Sequence, residues 1–231
     1  VVEYPLLRRT VFNRRIGIVL LCIGLGWGSF GIWMYYYWEI MQSYKHFSAI
    51  MSSVCFLPFL VLGITAAMLC LHIISKTRPS YIILFSMLAF MSCTIMLSVA
   101  PIHQSYFRLI FGQMLILAWG MDLSFPSATI ILSDCLEKHS QGMAGSLVST
   151  VVNYSVSLAV GIAGVVEIEV KRKTGDDLYA IRCGLHFATG LAALGVIFGV
   201  VFVIIQKRSD DRGTVVVQTV IESDKDLKLA L

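Results

Sequence analysis

The chain has 231 residues and a formal net charge of +4; 57% of its residues are hydrophobic and only 14% are charged, and its mean hydropathy is +0.80. A soluble domain has roughly 45–50% apolar and about 25% charged residues. The composition therefore excludes an ordinary water-soluble globule, a disordered chain and a disulfide-stabilised miniprotein, and it predicts a membrane protein.

The charged residues leave six long apolar stretches. Five contain no Asp, Glu, Lys or Arg, and the sixth, residues 109–133, contains only Asp122. Each reaches the ~20 residues that a helix needs to cross ~30 Å of hydrocarbon. The stretches are continuously apolar, which favours helices over the alternating strands of a barrel. The sequence therefore predicts an all-α membrane protein with transmembrane helices at about 16–38, 48–74, 80–100, 106–133, 142–166 and 182–206.

The remaining residues form two polar ends. Residues 1–15 are a basic segment, and residues 207–231 are a tail that carries no motif and is expected to be flexible. No small-residue cleavage site follows the first apolar run, so no signal peptide is expected. A chain that begins at Val1 on a basic segment is expected to be part of a longer protein.

Basic residues concentrate at one set of predicted helix ends. Ten lie on the side of the N-terminus: Arg8, Arg9, Arg14, Arg15, Lys76, Arg78, Lys138, Lys207, Arg208 and Arg212. Six lie on the other side: Lys45, Arg108, Lys171, Arg172, Lys173 and Arg182. Because cytoplasmic loops carry the excess of Lys and Arg, both termini are predicted to be cytoplasmic. Anionic lipid headgroups account for the net positive charge, and no nucleic-acid partner is expected.

Motifs of catalysis and metal binding do not fit their surroundings. The six cysteines lack metal-like C-x-x-C pairing and are interpreted as packing residues. Residues 26–31 match G-x-G-x-x-G, but they lie inside an apolar helix with no preceding strand. No H-E-x-x-H, G-x-S-x-G or Walker sequence occurs. We therefore expect no enzyme, no metal and no cofactor.

The first predicted helix is rich in glycine and aromatic residues. Trp33 and residues 35–38 end it and are interpreted as an interfacial aromatic belt. The glycines before them allow a ligand to approach closely, so Trp27, Ser29 and Trp33 are candidates for a cavity wall. In the second helix, Pro58 and Gly63 are interpreted as kink and packing residues.

The fourth helix carries the most informative pair of residues, Asp122 and Pro126. An intramembrane carboxylate costs ~2.5–3.5 kcal/mol on insertion scales and should face protein or water. Pro126 has no N–H and cannot bond the carbonyl of residue 122, so one point presents a carboxylate and a freed carbonyl oxygen. This pair suits a proton or a cationic or hydrogen-bonding substrate. The alternative is that Asp122 is a structural acceptor satisfied by a neighbouring hydroxyl or Trp N–H, and that Pro126 is only a kink.

Helices one and four also resemble each other. The first contains Trp27-Gly28-Ser29-Phe30, and the fourth contains Trp119-Gly120 followed by Ser124-Phe125. An odd number of crossings separates them, so the two segments run in opposite directions. This predicts a three-plus-three inverted repeat like that of many secondary transporters, and it adds Trp119 to the candidate pathway residues.

The fifth helix carries a stripe of small and polar residues at spacings of three or four. Its members are Gly142, Gly145, Ser146, Ser149, Asn153, Ser157, Gly161 and Gly164. Such a stripe permits close helix packing in a membrane. Tight packing is one interpretation, and Asn153 is the member that the other interpretation places in a pathway.

Three blocks carry a resemblance to a known family. Residues 24–38, 122–134 and 141–155, with the region up to Glu167, resemble the C-terminal half of fungal major facilitator superfamily transporters. The closest likeness is to the fourteen-helix drug:proton antiporter group that includes aminotriazole-resistance and boron-efflux proteins. The similarity covers nearly all of residues 14–208.

The resemblance implies an arrangement and a function. Helices one and four would line a central cavity, helices two and five would face an absent N-terminal half, and helices three and six would lie outermost. The chain would then be the C-terminal half of a proton-coupled exporter of small polar compounds or drugs. Its partners would be the lipid bilayer, the substrate, protons and the other half, in the plasma membrane or alternatively the vacuolar membrane. The alternative function is a truncated paralogue that no longer transports and acts as an interaction partner in the membrane.

Overall fold

The computed structural model describes residues 14–136, 138 and 141–229, with backbone alone for Leu71 and residues 209–229. Within these residues the chain forms six long helices and one short π-helix, Ile40–Tyr44, which continues the first helix. The helices are α1 (Arg14–Glu39), α2 (Ala49–Lys76), α3 (Pro79–Ser98), α4 (Leu109–Cys135), α5 (Met143–Thr174) and α6 (Asp177–Leu229).

All six helices are long and apolar enough to cross a membrane; in α6 the membrane-spanning part is Asp177–Arg208. The prediction of an all-α membrane protein with six transmembrane helices is thereby confirmed. α6 continues as helix to Leu229, through the segment predicted to be a tail; the flexibility of that tail stays a prediction. The basic segment lies outside the described residues except for Arg14 and Arg15.

The connection between α5 and α6 is much shorter than the sequence predicted. α5 runs to Thr174 and α6 begins at Asp177, so only two residues join them. Gly175 takes a left-handed φ of 68° and its N–H donates to Lys171 O, which ends the helix. The cations of the last turn suit the negative end of the helix dipole, and Lys171 Nζ lies 3.0 Å from Asp177 Oδ1. All the charged residues that predicted a loop, except Asp176, thus lie within α5 or α6.

Consecutive helices cross the bundle in opposite directions, which gives it two distinct ends. The Lys45 end carries the α1–α2, α3–α4 and α5–α6 connections, and Lys45 Nζ bridges the first two by donating to Ile102 O at 2.6 Å. The Lys76 end carries the start of α1, the α2–α3 turn and the α4–α5 connection. Ser48 caps α2 at the Lys45 end by accepting from Met51 N at 3.2 Å.

α1 is the central helix and packs against α3, α4, α5 and α6. Glycines permit its close approaches. A Cβ built on Gly31 would lie 2.7 Å from Val156 Cγ1 on α5, and one on Gly26 would lie 2.6 Å from the Met87 side chain on α3. The core therefore lies along α1, and α4 packs in turn against α2 and α3.

The aromatic end of α1 is mostly inside this core. Trp33, Tyr36 and Tyr37 are fully buried, whereas Tyr35 is 49% exposed. Trp33 stacks on Tyr37 at a centroid distance of 5.3 Å, and Tyr36 Oη donates to Glu167 Oε2 at 3.0 Å. The interfacial-belt interpretation is wrong for these three residues, because neighbouring helices supply apolar contacts and an acceptor for the Tyr36 hydroxyl.

The stripe on α5 points away from the core. The buried face of α5 consists of Ala144, Val148, Val152, Ala159 and Ala163. By contrast, a Cβ built on Gly142, Gly161 or Gly164 would meet no described atom within 4 Å. Within the described part of the chain, the stripe is therefore not the tight packing surface that the sequence favoured.

Candidate functional site

Asp122 lies on α4 and faces α2. Its Oδ2 atom is buried and has no hydrogen-bond partner among the described residues. A Cβ built on Gly63 of α2 would lie 3.1 Å from this oxygen. Gly63, which the sequence assigned only to packing, thus leaves the space that the carboxylate occupies. The result is a buried acceptor at the seam between α2 and α4.

The structure also shows where the carbonyl freed by Pro126 goes. The thiol of Cys70 on α2 donates to Asp122 O, with Sγ 3.6 Å from the oxygen. Pro126 itself lies inside α4, which continues past it to Cys135. Sequence reasoning predicted the freed carbonyl and missed its donor, since nothing in the spacing of residues 70 and 122 connects them. The thiol satisfies the backbone oxygen, and Asp122 Oδ2 is left without a partner among the described residues.

Two tryptophans of α1 bond side chains of α4. Trp27 Nε1 donates to Ser124 Oγ at 3.2 Å, and Trp33 Nε1 donates to Gln113 Oε1 at 2.9 Å. Gln113 is fully buried, and the sequence analysis did not single it out. The two bonds join antiparallel helices, so the predicted cavity-wall residues Trp27 and Trp33 form part of the α1–α4 contact.

Ser29 is the third residue predicted for the cavity wall on α1. It is fully buried, and its hydroxyl donates to Gly26 O of the same helix at 2.6 Å. A buried hydroxyl bonded within its own helix has a satisfied donor and does not depend on a ligand. Ser29 is therefore part of the buried face of α1 in this structure.

The structure separates two candidates from this group. Trp119 packs with Ile82 and Leu123 and lines a groove of about 420 Å³ between α2, α3 and α4 near the Lys76 end. Asn153 is exposed on the outer face of α5. The candidates thus fall into three places: Asp122 at the α2–α4 seam, the α1 tryptophans on α4, and Trp119 and Asn153 at surfaces of the described bundle.

Comparison with known proteins finds fungal transporters. The chain is 44% identical over 191 residues to the aminotriazole resistance protein of Saccharomyces cerevisiae, which covers 82% of this chain and 35% of that protein. It is 31% identical over 205 residues to efflux pump terJ of Aspergillus terreus; the match covers 89% of this chain and 40% of that protein. It is 39% identical over 142 residues to the major facilitator superfamily multidrug transporter mdr3 of Aspergillus fumigatus; the match covers 62% of this chain and 27% of that protein.

No family model matches the chain, and no solved structure matches it. The chain spans 27–40% of the length of the three relatives, all of them named for transport or resistance. The predicted resemblance to fungal transporters is confirmed. Six helices long and apolar enough to cross a membrane and this similarity together show that the chain is related to fungal transporters of the major facilitator superfamily.

Proposed function

We propose that the chain is the C-terminal half of a proton-coupled transporter that exports small polar compounds or drugs, and that Asp122 binds the proton or a cationic substrate group. One observation carries the assignment of Asp122: its Oδ2 is buried without a donor among the described residues. A lone carboxylate in a low-dielectric site has a strong preference for a proton or a cation. The names of the relatives, a resistance protein and an efflux pump, support export.

The packing of the helices supports the proposed inverted repeat. α1 runs parallel to α5, since Gly28 meets Ala159 and Tyr36 meets Glu167. α4 runs parallel to α2 in the same way. Tyr106, just before α4, bonds Cys55 near the start of α2, and Asp122 lies close to Gly63 in the middle of α2. α1 also packs against α6, as α4 packs against α3. Exchanging α1–α3 with α4–α6 thus preserves these main contacts.

The exposed faces of α2 and α5 support docking of the absent half. Large apolar side chains on both helices lack covering neighbours in the described chain, and Met68 and Tyr154 are 76% and 75% exposed. The small-residue stripe shares the open side of α5. Small residues let helices of two domains approach closely. An N-terminal half on these two faces would enclose the α2–α4 seam that holds Asp122.

Orientation and location belong to the same proposal. The Lys76 end carries the larger share of Lys and Arg residues counted near the helix ends, which supports a cytoplasmic location for it by the positive-inside rule. The Lys45 end then faces the outside in the plasma membrane, or the lumen if the membrane is vacuolar. A proton bound at Asp122 would enter from the Lys45 end and leave at the Lys76 end.

The test replaces Asp122 in the full-length gene product reconstituted in proteoliposomes. Aminotriazole is added under an imposed pH gradient, and proton flux is followed with internal pyranine. Asp122→Asn is expected to abolish the coupled flux, because the amide cannot take up a proton. Gly63→Ala is expected to slow it, because the added methyl group occupies the space beside Oδ2.

Asp134→Asn is the matched control, since it makes the same change twelve residues further along α4. It is expected to retain coupled flux. Unchanged flux in Asp122→Asn would contradict the proposed role of Asp122. Wild-type protein that moves neither aminotriazole nor protons would contradict the proposed exporter.

A further inference from the structure

A cavity of about 790 Å³ opens at the Lys45 end of the bundle. It lies between the turn that follows α1, the first turns of α2 and the α3–α4 connection. Aromatic side chains form much of its wall: Phe47, Tyr106, Phe107 and Phe111. Its volume is within the range of small-molecule sites, ~300–1,000 Å³. Asp122 does not line this cavity, so it is separate from the site proposed above.

The polar lining of this cavity is basic. Lys45, His46 and His103 contribute to it, and no Asp or Glu is among the described lining residues. Lys45 Nζ donates to Ile102 O at 2.6 Å and to Gln104 O at 2.7 Å. An ammonium group has three N–H donors, so two carbonyls leave one donor for a further acceptor. Burial lowers the pKa of Lys45, and an anion bound beside it would oppose that shift.

The backbone holds this basic group in a specialised turn. α1 ends in the π-helix Ile40–Tyr44, and His46 then takes a left-handed φ of 55°. Lys45 N donates to Ile40 O and Phe47 N donates to Met41 O, both at 3.0 Å. π-helical turns and left-handed non-glycine residues are uncommon and occur often at binding sites. Here the turn brings four consecutive lining residues, Tyr44 to Phe47, to one wall of the cavity.

The opposite wall is also held in place. Tyr106 Oη donates to Cys55 O on α2, which fixes the ring between the α3–α4 connection and α2. Burial, with a smaller contribution from Cys55, raises the pKa of Tyr106 to about 12, so the hydroxyl remains a donor. Phe107 and Phe111 lie beside it, at centroid distances of 5.4 and 6.1 Å. The cavity thus joins an aromatic wall, anchored at Tyr106, to a cation.

We propose that this cavity binds a planar aromatic carboxylate. The carboxylate accepts the remaining N–H of Lys45, with His46 and His103 nearby, and the ring packs against Tyr106, Phe107 and Phe111. Aromatic walls alone would also suit an organic cation, but the Lys45 ammonium repels one. A charge-assisted hydrogen bond within a partly buried site favours the anion.

The experiment measures binding of three probes that differ in charge: 4-fluorobenzoate, 4-fluorobenzyl alcohol and 4-fluorobenzylamine. The full-length gene product is placed in phosphatidylcholine nanodiscs, and binding is followed by fluorine NMR. 4-Fluorobenzoate is expected to bind most tightly, and Lys45→Met to weaken it about tenfold, the usual effect of one charge-assisted bond. Lys173→Met, which removes an exposed lysine at the same end of the bundle, is the matched control and should leave binding unchanged.

Two further variants keep the test informative if Lys45→Met disturbs the connection that it holds. His103→Gln should weaken 4-fluorobenzoate and leave the alcohol unaffected, whereas Phe107→Ala should weaken both. The proposal is overturned if the amine binds as tightly as the carboxylate, or if His103→Gln and Phe107→Ala leave every affinity unchanged. Displacement of 4-fluorobenzoate by added phosphatidylglycerol would also overturn it, because the site would then belong to lipid headgroups.

Discussion

The helices α1 and α5 both carry glycines at helical spacing and differ in their surroundings. On α1, Cβ atoms built on Gly26, Gly28 and Gly31 would approach other helices at 2.6–3.1 Å. On α5, Cβ atoms built on Gly161 and Gly164 would meet no described atom within 4 Å. Small residues at helical spacing therefore show that a face can accept a close neighbour. The position of the helix in the bundle decides whether this chain supplies that neighbour.

Three aromatic donors on α1 and two hydroxyls on the stripe of α5 follow the same division. On α1, Trp27, Trp33 and Tyr36 donate to residues of other helices. On the stripe of α5, Ser146 and Ser157 donate to carbonyls of their own helix, at 2.9 Å each. A hydroxyl that faces no protein neighbour in an apolar medium satisfies itself locally. Three predictions test whether this difference between α1 and α5 is real.

The largest effect is expected where α1 is closest to α5. Gly31→Ala places a methyl group 2.7 Å from Val156 Cγ1 and 3.4 Å from its Cα, so the two helices must move apart. We expect a loss of about 2 kcal/mol in the free energy of unfolding, measured as a lower Tm in detergent. The double variant Gly31→Ala with Val156→Ala should recover much of it. A Tm for Gly31→Ala equal to that of the wild type would show that α1 and α5 are not in close contact.

An intermediate effect is expected from the α1–α4 bond. Gln113→Leu keeps most of the side-chain volume but leaves the buried Trp33 Nε1 without its acceptor, now 2.9 Å away. The cost should be about 1 kcal/mol, with a change in tryptophan emission as the local readout. Gln141→Leu changes an exposed glutamine and serves as the control. If the two variants unfold at the same temperature, the Trp33 bond does not stabilise α1.

The smallest effect, with the opposite sign, is expected on the stripe of α5. Gly161→Ala adds a methyl group where no described atom lies within 4 Å, and alanine favours helix over glycine by up to ~1 kcal/mol. This chain should therefore unfold at the same or a slightly higher temperature. In the full-length gene product the same change should reduce transport, because the proposed other half packs there. A strong destabilisation of the chain alone would refute the open position of the stripe.

The sequence predicts only part of the candidate site. Asp122 stands out because a charge inside an apolar helix is costly, and Pro126 because it frees one carbonyl. Gly63 and Cys70 did not stand out as the residues that meet Asp122, nor Gln113 as the residue that meets Trp33. Each meets its partner across 52 to 80 residues of chain. Helical periodicity gives the face of a residue and does not give the axial register between two helices.

The sequence by itself determined the six membrane-spanning helices and the relationship to fungal transporters. Hydrocarbon excludes charges and unpaired backbone groups, so runs of about 20 apolar residues have one stable form. Tertiary packing decided the rest: the burial of Trp33, Tyr36 and Tyr37, the space at Gly63 for Asp122, and the basic aromatic cavity around Lys45. These features arise where helices meet, and every apolar face is equally suited to lipid until a neighbouring helix supplies a matching shape or a hydrogen-bond partner.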